Sequence, residues 1–183
     1  MLLAYGLLTA ASSGALFALR GPAMFEHPTP LFLLGPPLRE SASMLCGVTL
    51  AMIVVGTTRA LVDRTRWAGA LARELSPFAS SLRGHDIVLL ALFSSAGEEL
   101  LFRGLLSSWF GWIGVVLSSV VFGLVHQVRG PARWGWVAWA MVVGLALATL
   151  FATTGSLVGP LVAHALINGI NLGFLRDRAL VAR

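Results

Sequence analysis

The chain has no lysine, a single cysteine and few charges of either sign. Charged residues make up 11% and hydrophobic ones 57%, against roughly 25% and 45 to 50% in an ordinary soluble domain. With a mean hydropathy of +0.84, that shortage of charge excludes a soluble globule and implies a membrane protein. One cysteine excludes an intrachain disulfide, and the position of Cys46 inside an apolar run predicts a buried small hydrophobe. The net charge is +5, but the thirteen cations are scattered around apolar runs without interleaved stacking aromatics, which excludes a nucleic-acid partner. All are arginine, a composition that suits a GC-rich bacterial gene. No basic residue precedes the first apolar run and Arg20 follows it, so the run is expected to be an uncleaved helix rather than a signal peptide. There is no internal repeat or low-complexity tract, and 183 residues leave room for about six spans and no separate soluble domain. The expected fold is an all-α polytopic bundle.

The first expected span is 2–19. Segment 21–40 carries Pro22, Pro28, Pro30, Pro36 and Pro37, a density that stops helices, so it reads as a loop dipping back at 31–34. A second span covers 41–56. In 59–86, arginines alternate with Asp63, Glu74 and Asp86 while Trp67, Leu71 and Leu75 recur at helical spacing, the pattern of a helix on an anionic membrane face or of a solvated linker helix. Four more spans follow at 87–110, 112–126, 134–151 and 157–175, with Trp134, Trp136 and Trp139 reading as an interfacial belt. This divides the chain into an N-terminal part with two spans and a basic segment (1–86), a four-helix part (87–175) and a basic tail (176–183). Six spans collect ten arginines on the side of both termini and leave only Arg20 and Arg39 on the other. By the positive-inside rule the termini are expected to be cytoplasmic.

The chemistry is concentrated where the hydrophobicity is interrupted. Glu98, Glu99 and Arg103 fall in the middle of an apolar run, and ionisable groups at that depth cost roughly 2.5 to 3.5 kcal/mol each on insertion scales, so they must face an interior or a wet cavity. Glu99 and Arg103 are i and i+4 in the favourable order for an ion pair. Glu98 lies about 100° round the helix and has no obligatory partner on its own helix, as a general base requires. On the next helix Phe122 and His126 share a face; on the last, His164 and Asn168 do, flanked by Ala163, Ala165 and Gly169, which allow close helix approach. Taken singly, His126, Asn168 and Asn171 read as packing or interhelical glue and Phe122 as core. Two adjacent carboxylates with one compensating arginine do not.

Glu98-Glu99-x-x-x-Arg103, Phe122-x-x-x-His126 and His164-x-x-x-Asn168, in that order on membrane helices, resemble the three-motif signature of the CAAX prenyl protease and bacteriocin-processing family of intramembrane glutamic endopeptidases. The resemblance covers about half of the chain and no motif position departs from it. It implies peptide-bond hydrolysis in the membrane without a metal or other cofactor. The substrate would be a peptide or protein with a membrane-associated terminal segment: a prenylated tail, a leader peptide or a C-terminal sorting tail.

Hydrolysis needs a base for water, donors for the oxyanion and a proton for the leaving amine. The expected assignment has Glu98 holding the water with His126, Glu99 fixed by Arg103 as a buttress, and His164 with Asn168 stabilising the oxyanion; Phe122 lines the substrate site. Either carboxylate qualifies as the base, with Glu98 preferred because Glu99 has a built-in partner. Two histidines and two glutamates also suggest zinc, but no His-Glu-x-x-His pair is present. A non-catalytic membrane factor or proton-coupled carrier would use the same carboxylates as a relay, although a carrier usually has two related halves.

Overall fold

The computed structural model describes residues 1–181, which are helical throughout apart from turns and loops. In chain order the elements are α1 (Leu2–Arg20), a 3₁₀ turn (Gly21–Phe25), α2 (Leu38–Arg64), α3 (Arg66–Ser81) and α4 (Gly84–Glu99). A π-helical turn (Leu100–Leu106) and a 3₁₀ turn (Ser107–Trp109) continue α4, and α5 (Gly111–Val125), α6 (Arg133–Thr154) and α7 (Val158–Val181) complete the bundle.

The all-α expectation holds, but the six spans do not emerge as six equal helices. Among the described residues, four candidates are long and apolar enough to cross a membrane: Leu2–Phe25, Leu38–Arg64, Arg133–Thr154 and Val158–Ala179. Helix α5 has only 15 residues, and the span expected at 87–110 is broken into α, π and 3₁₀ pieces just after its glutamates. The segment expected as one amphipathic helix over 59–86 divides at Thr65. Helix α2 runs through Arg64, and α3 begins afresh with the Thr65 hydroxyl accepting from the Ala68 amide at 3.4 Å, an N-cap that satisfies one of the helix's orphan donors. The apolar face of α3 is spent on protein, with Ala72, Ala79 and Leu175 of α7 in one cluster. Helix α7 likewise continues past the expected end at Leu175, through Arg176 and Arg178; Arg183 lies outside the described residues.

Small residues bring the helices together, as expected where burial from lipid supplies no hydrophobic drive between helices. Helices α2 and α7 cross at Gly47 and Gly159, each so close to the other helix's backbone that no side chain fits. Ser43 seals the crossing, accepting from the Gly159 amide at 3.0 Å and donating to Ser156 O. Helix α1 docks along α4, where Gly97 faces Leu8 and Thr9 and Gly104 faces Leu16. The proline-rich loop is held by backbone bonds from His27 to Gly155 and from Leu31 and Phe32 to Ala152 and Thr153, so it packs under the α6–α7 turn. Leu31 and Leu33 nevertheless stay exposed.

Cys46 corrects one expectation: its thiol is exposed on the outer face of α2, beside Met44 and Leu45. Helix α2 turns Ser43, Gly47, Ala51, Val54 and Val55 inward instead, because the crossing with α7 selects the smallest side chains. The tryptophan belt needs revision as well, since only Trp134 is exposed while Trp136 and Trp139 line an internal cavity.

Candidate active site

Helix α4 carries both glutamates on its last turn, and the π turn begins at the next residue. A π turn widens the helix and is often found at functional sites. Glu98 and Glu99 are both buried and point to different neighbours, as their angular separation on the helix requires.

Glu99 is anchored through one oxygen, its Oε2 having no hydrogen-bond partner among the described residues. Its Oε1 accepts from Arg103 Nη1 at 2.9 Å and from His164 Nδ1 at 2.6 Å, so two charge-assisted bonds share one oxygen. Arg103, also buried, donates Nη2 to Gly144 O at 2.9 Å and lies over the Phe122 ring at 4.5 Å. Gly144 is needed there: a Cβ would sit 3.0 Å from Phe122 and 3.5 Å from Arg103 Nη2. The Glu99 contact fixes the His164 tautomer, with Nδ1–H spent on the carboxylate and Nε2 turned to the cavity, the same device that orients histidines by second partners elsewhere.

Glu98 is the opposite case. His126 Nε2 lies 3.5 Å and His164 Nε2 3.7 Å from the same Glu98 oxygen, Oε2, and that oxygen has no hydrogen-bond partner among the described residues. His126 sits just past the end of α5 and bonds through Nδ1 to Phe122 O at 2.7 Å. A carbonyl only accepts, so Nδ1 carries the hydrogen and the neutral ring offers the Nε2 lone pair toward Glu98. Phe122 packs against both imidazoles, at ring-centroid distances of 4.3 Å to His126 and 5.8 Å to His164.

These groups line a cavity of about 270 Å³ that Asn168 also faces. Asn168 Nδ2 donates to Ser94 Oγ at 3.1 Å, which ties α7 to α4 one turn before Glu98. The mostly apolar cavity continues between α2, α3 and α7 past Thr58, Trp67, Leu71 and Phe174. All seven residues singled out by sequence therefore border one site, Glu99 and Arg103 from behind and the other five directly. Sequence reasoning did not find Ser94, Gly144, Trp136 or Tyr5, which also borders the cavity. For Gly144 and Tyr5 the linear sequence held no signal, since their partners lie on other helices. Among the described residues, no group of three or more His, Cys, Asp or Glu side chains is arranged to hold a metal ion.

The family comparison falls on this same half of the chain. Residues 82–170 match the family described as Type II CAAX prenyl endopeptidase Rce1-like. The uncharacterized protein YpbD of Bacillus subtilis (strain 168) is 26% identical over 140 residues, covering 73% of this chain and 69% of its own length. No solved structure matches. Over the segment that holds the glutamate pair, both histidines and Asn168, the chain is similar to the Rce1-like family, a match that supports a membrane peptidase of the CAAX type.

Proposed function

We propose that the protein is an intramembrane glutamic endopeptidase in which Glu98 is the general base and no metal takes part. The observation that carries this reading is the pair of imidazole Nε2 atoms facing Glu98 Oε2 at 3.5 and 3.7 Å. Those separations are too long for good direct hydrogen bonds and leave the three groups converging on the cavity, where one water molecule beside them can meet Glu98 and His126. A water there gives one hydrogen to Glu98 and the other to the His126 lone pair. Glu98 takes the proton, the oxygen attacks the scissile carbonyl, and the proton then passes to the leaving amine. Such acid–base help is worth about 10² to 10⁴ in rate.

Glu99 is unsuited to that task because its Oε1 already accepts two bonds and its side chain, fully buried, does not line the cavity. Its role is to hold His164 in place, with Arg103 fixing Glu99 in turn. In the imidazolium form His164 donates from both nitrogens, Nδ1 to Glu99 and Nε2 into the cavity, where it stabilises the oxyanion together with Asn168. Phe122 forms the wall against which the substrate peptide lies.

The substrate is a peptide with a membrane-associated terminal segment, such as a prenylated tail, a leader peptide or a C-terminal sorting tail. The apolar extension of the cavity supports this, because it can take hydrocarbon or apolar side chains next to the cleavage point. Both termini are cytoplasmic. Met1, Thr58, Phe78 and Phe174 border one cavity, so the start of α1, the α2–α3 junction and the end of α7 share one end of the bundle, and that is the arginine-rich end. A C-terminal tag reachable from the periplasmic face of intact cells would contradict the orientation.

The catalytic test is hydrolysis of internally quenched peptides by purified protein in detergent with EDTA present. A farnesylated CaaX peptide, a leader peptide and a sorting-tail peptide distinguish the substrate classes. Turnover unaffected by EDTA is expected; loss of turnover that is restored by zinc would make His126 and His164 metal ligands instead.

A further inference from the structure

Tyr5 is the only tyrosine of the chain and lies on α1, outside the segment that matches the peptidase family. It is half-buried and borders the same cavity as Glu98, His126, His164 and Asn168, within electrostatic reach of the Glu98 carboxyl. Its position is built in on both helices. The Thr9 hydroxyl bonds to Tyr5 O at 2.8 Å and to Phe93 O on α4 at 3.1 Å, clamping the Tyr5 turn of α1 onto α4. Gly97, next to Glu98, permits this approach: a Cβ there would lie 3.0 Å from Thr9 Oγ1 and 3.1 Å from Leu8 Cγ.

Glu98 meanwhile needs an anchor. Its neighbours across the cavity, the two imidazoles, stand off at 3.5 and 3.7 Å, and the Arg103 guanidinium is spent on Glu99 and Gly144. A carboxylate on three rotatable bonds does not keep one oxygen aimed between two histidines unaided. Resting on the assignment of Glu98 as the base, we propose that Tyr5 is a positioning residue: its O–H donates to the Glu98 carboxylate and holds Oε2 toward His126 and His164. Helix α1 thus completes the site rather than merely packing against it.

Tyr5→Phe removes only the hydroxyl. A hydrogen bond to a charged group is worth about ten- to hundred-fold, so kcat on the cleaved peptide falls by about that factor, while KM stays within about two-fold and the melting temperature is unchanged. Thr9→Val, which loosens the clamp but keeps the phenol, lowers the melting temperature more than it lowers kcat. Wild-type kcat in Tyr5→Phe overturns the proposal, as does a kcat loss fully explained by unfolding.

A second readout needs no substrate. Biosynthetic 3-fluorotyrosine places one ¹⁹F label in the protein, and its resonance moves in Glu98→Gln but not in Glu74→Gln, whose parent side chain is exposed on α3. A resonance indifferent to Glu98→Gln overturns the contact whether or not the protein is a peptidase. If wild-type protein shows no Glu98-dependent hydrolysis of any peptide, the protease reading falls by itself, and the ¹⁹F result still decides whether Tyr5 holds Glu98.

Discussion

The two ends of the bundle are both polar, yet they spend their polar groups differently. At the end where α6 turns into α7, most groups bond to one another: Arg39 to Glu26 and Glu40 at 2.8 and 2.7 Å, Ser43 to Thr154 and Ser156 O at 3.0 Å each, while the buried His27 Nε2 and Glu40 Oε2 have no partner among the described residues. Glu26 and Ser156 also form an isolated antiparallel bridge. His27 is buried there against Phe151 and accepts from the Thr29 amide, and burial keeps its imidazole easier to deprotonate than usual. At the cavity end, Glu98 and the two histidine Nε2 atoms face one another without bonding, next to open volume. Buried polarity alone therefore does not mark a site; convergent groups left free to bind a small molecule do.

Arg103→Ala should break the cavity end most severely. It strands Glu99 in the interior without its cation, a loss of about 3 to 5 kcal/mol for a desolvated pair, so folded yield and turnover fall together. Chemical denaturation in detergent alongside activity measures both. Asn168→Ala should cut turnover by about 10² to 10³ through loss of one oxyanion donor, with little change in KM or melting temperature. If the variant melts early while its folded fraction keeps full turnover, Asn168 is a helix tie through Ser94 and the oxyanion is held elsewhere.

The opposite end should respond in stability alone. Ser43→Ala leaves the Gly159 amide without its buried acceptor, costing about 1 to 3 kcal/mol, with kcat of the folded protein unchanged. The smallest effect belongs to Glu26. The Arg39 hydrogen bond holds its carboxyl below the usual range, so its contribution is present at neutral pH and is lost as pH falls through that lowered value. Because the Glu26 side chain is 47% exposed, Glu26→Gln should cost less than about 1 kcal/mol and flatten the acid side of a melting-temperature profile. A cost comparable to that of Arg103→Ala would erase the distinction between the ends.

Much of the site was legible because helical geometry is local. The i, i+4 spacing of Glu99 and Arg103 anticipated their ion pair, and the turn of about 100° between adjacent residues anticipated that Glu98 would face elsewhere. The family motifs likewise picked out His126, His164 and Asn168. What escaped depended on contacts between helices. Nothing local distinguishes Gly144 from the other glycines, or links Tyr5 to Glu98 across 93 positions. Lipid and protein interior also select for the same apolar side chains, which is why Cys46 looked buried on α2 and Trp136 and Trp139 looked interfacial. The π turn after Glu99 lies in Leu100–Leu106, whose apolar sequence carries no proline or other sign of a broken helix.

Glu98→Gln and Glu99→Gln, assayed side by side for peptide hydrolysis and melting in the same detergent, test the division of labour most directly. Glu98→Gln should be folded, bind peptide and turn over at background rate, because an amide keeps the shape but accepts no proton. Glu99→Gln should instead lose stability, since Arg103 and His164 lose their shared anion, and its folded fraction should keep measurable turnover. Wild-type turnover in Glu98→Gln, or a folded Glu99→Gln that is wholly inactive, would contradict the account.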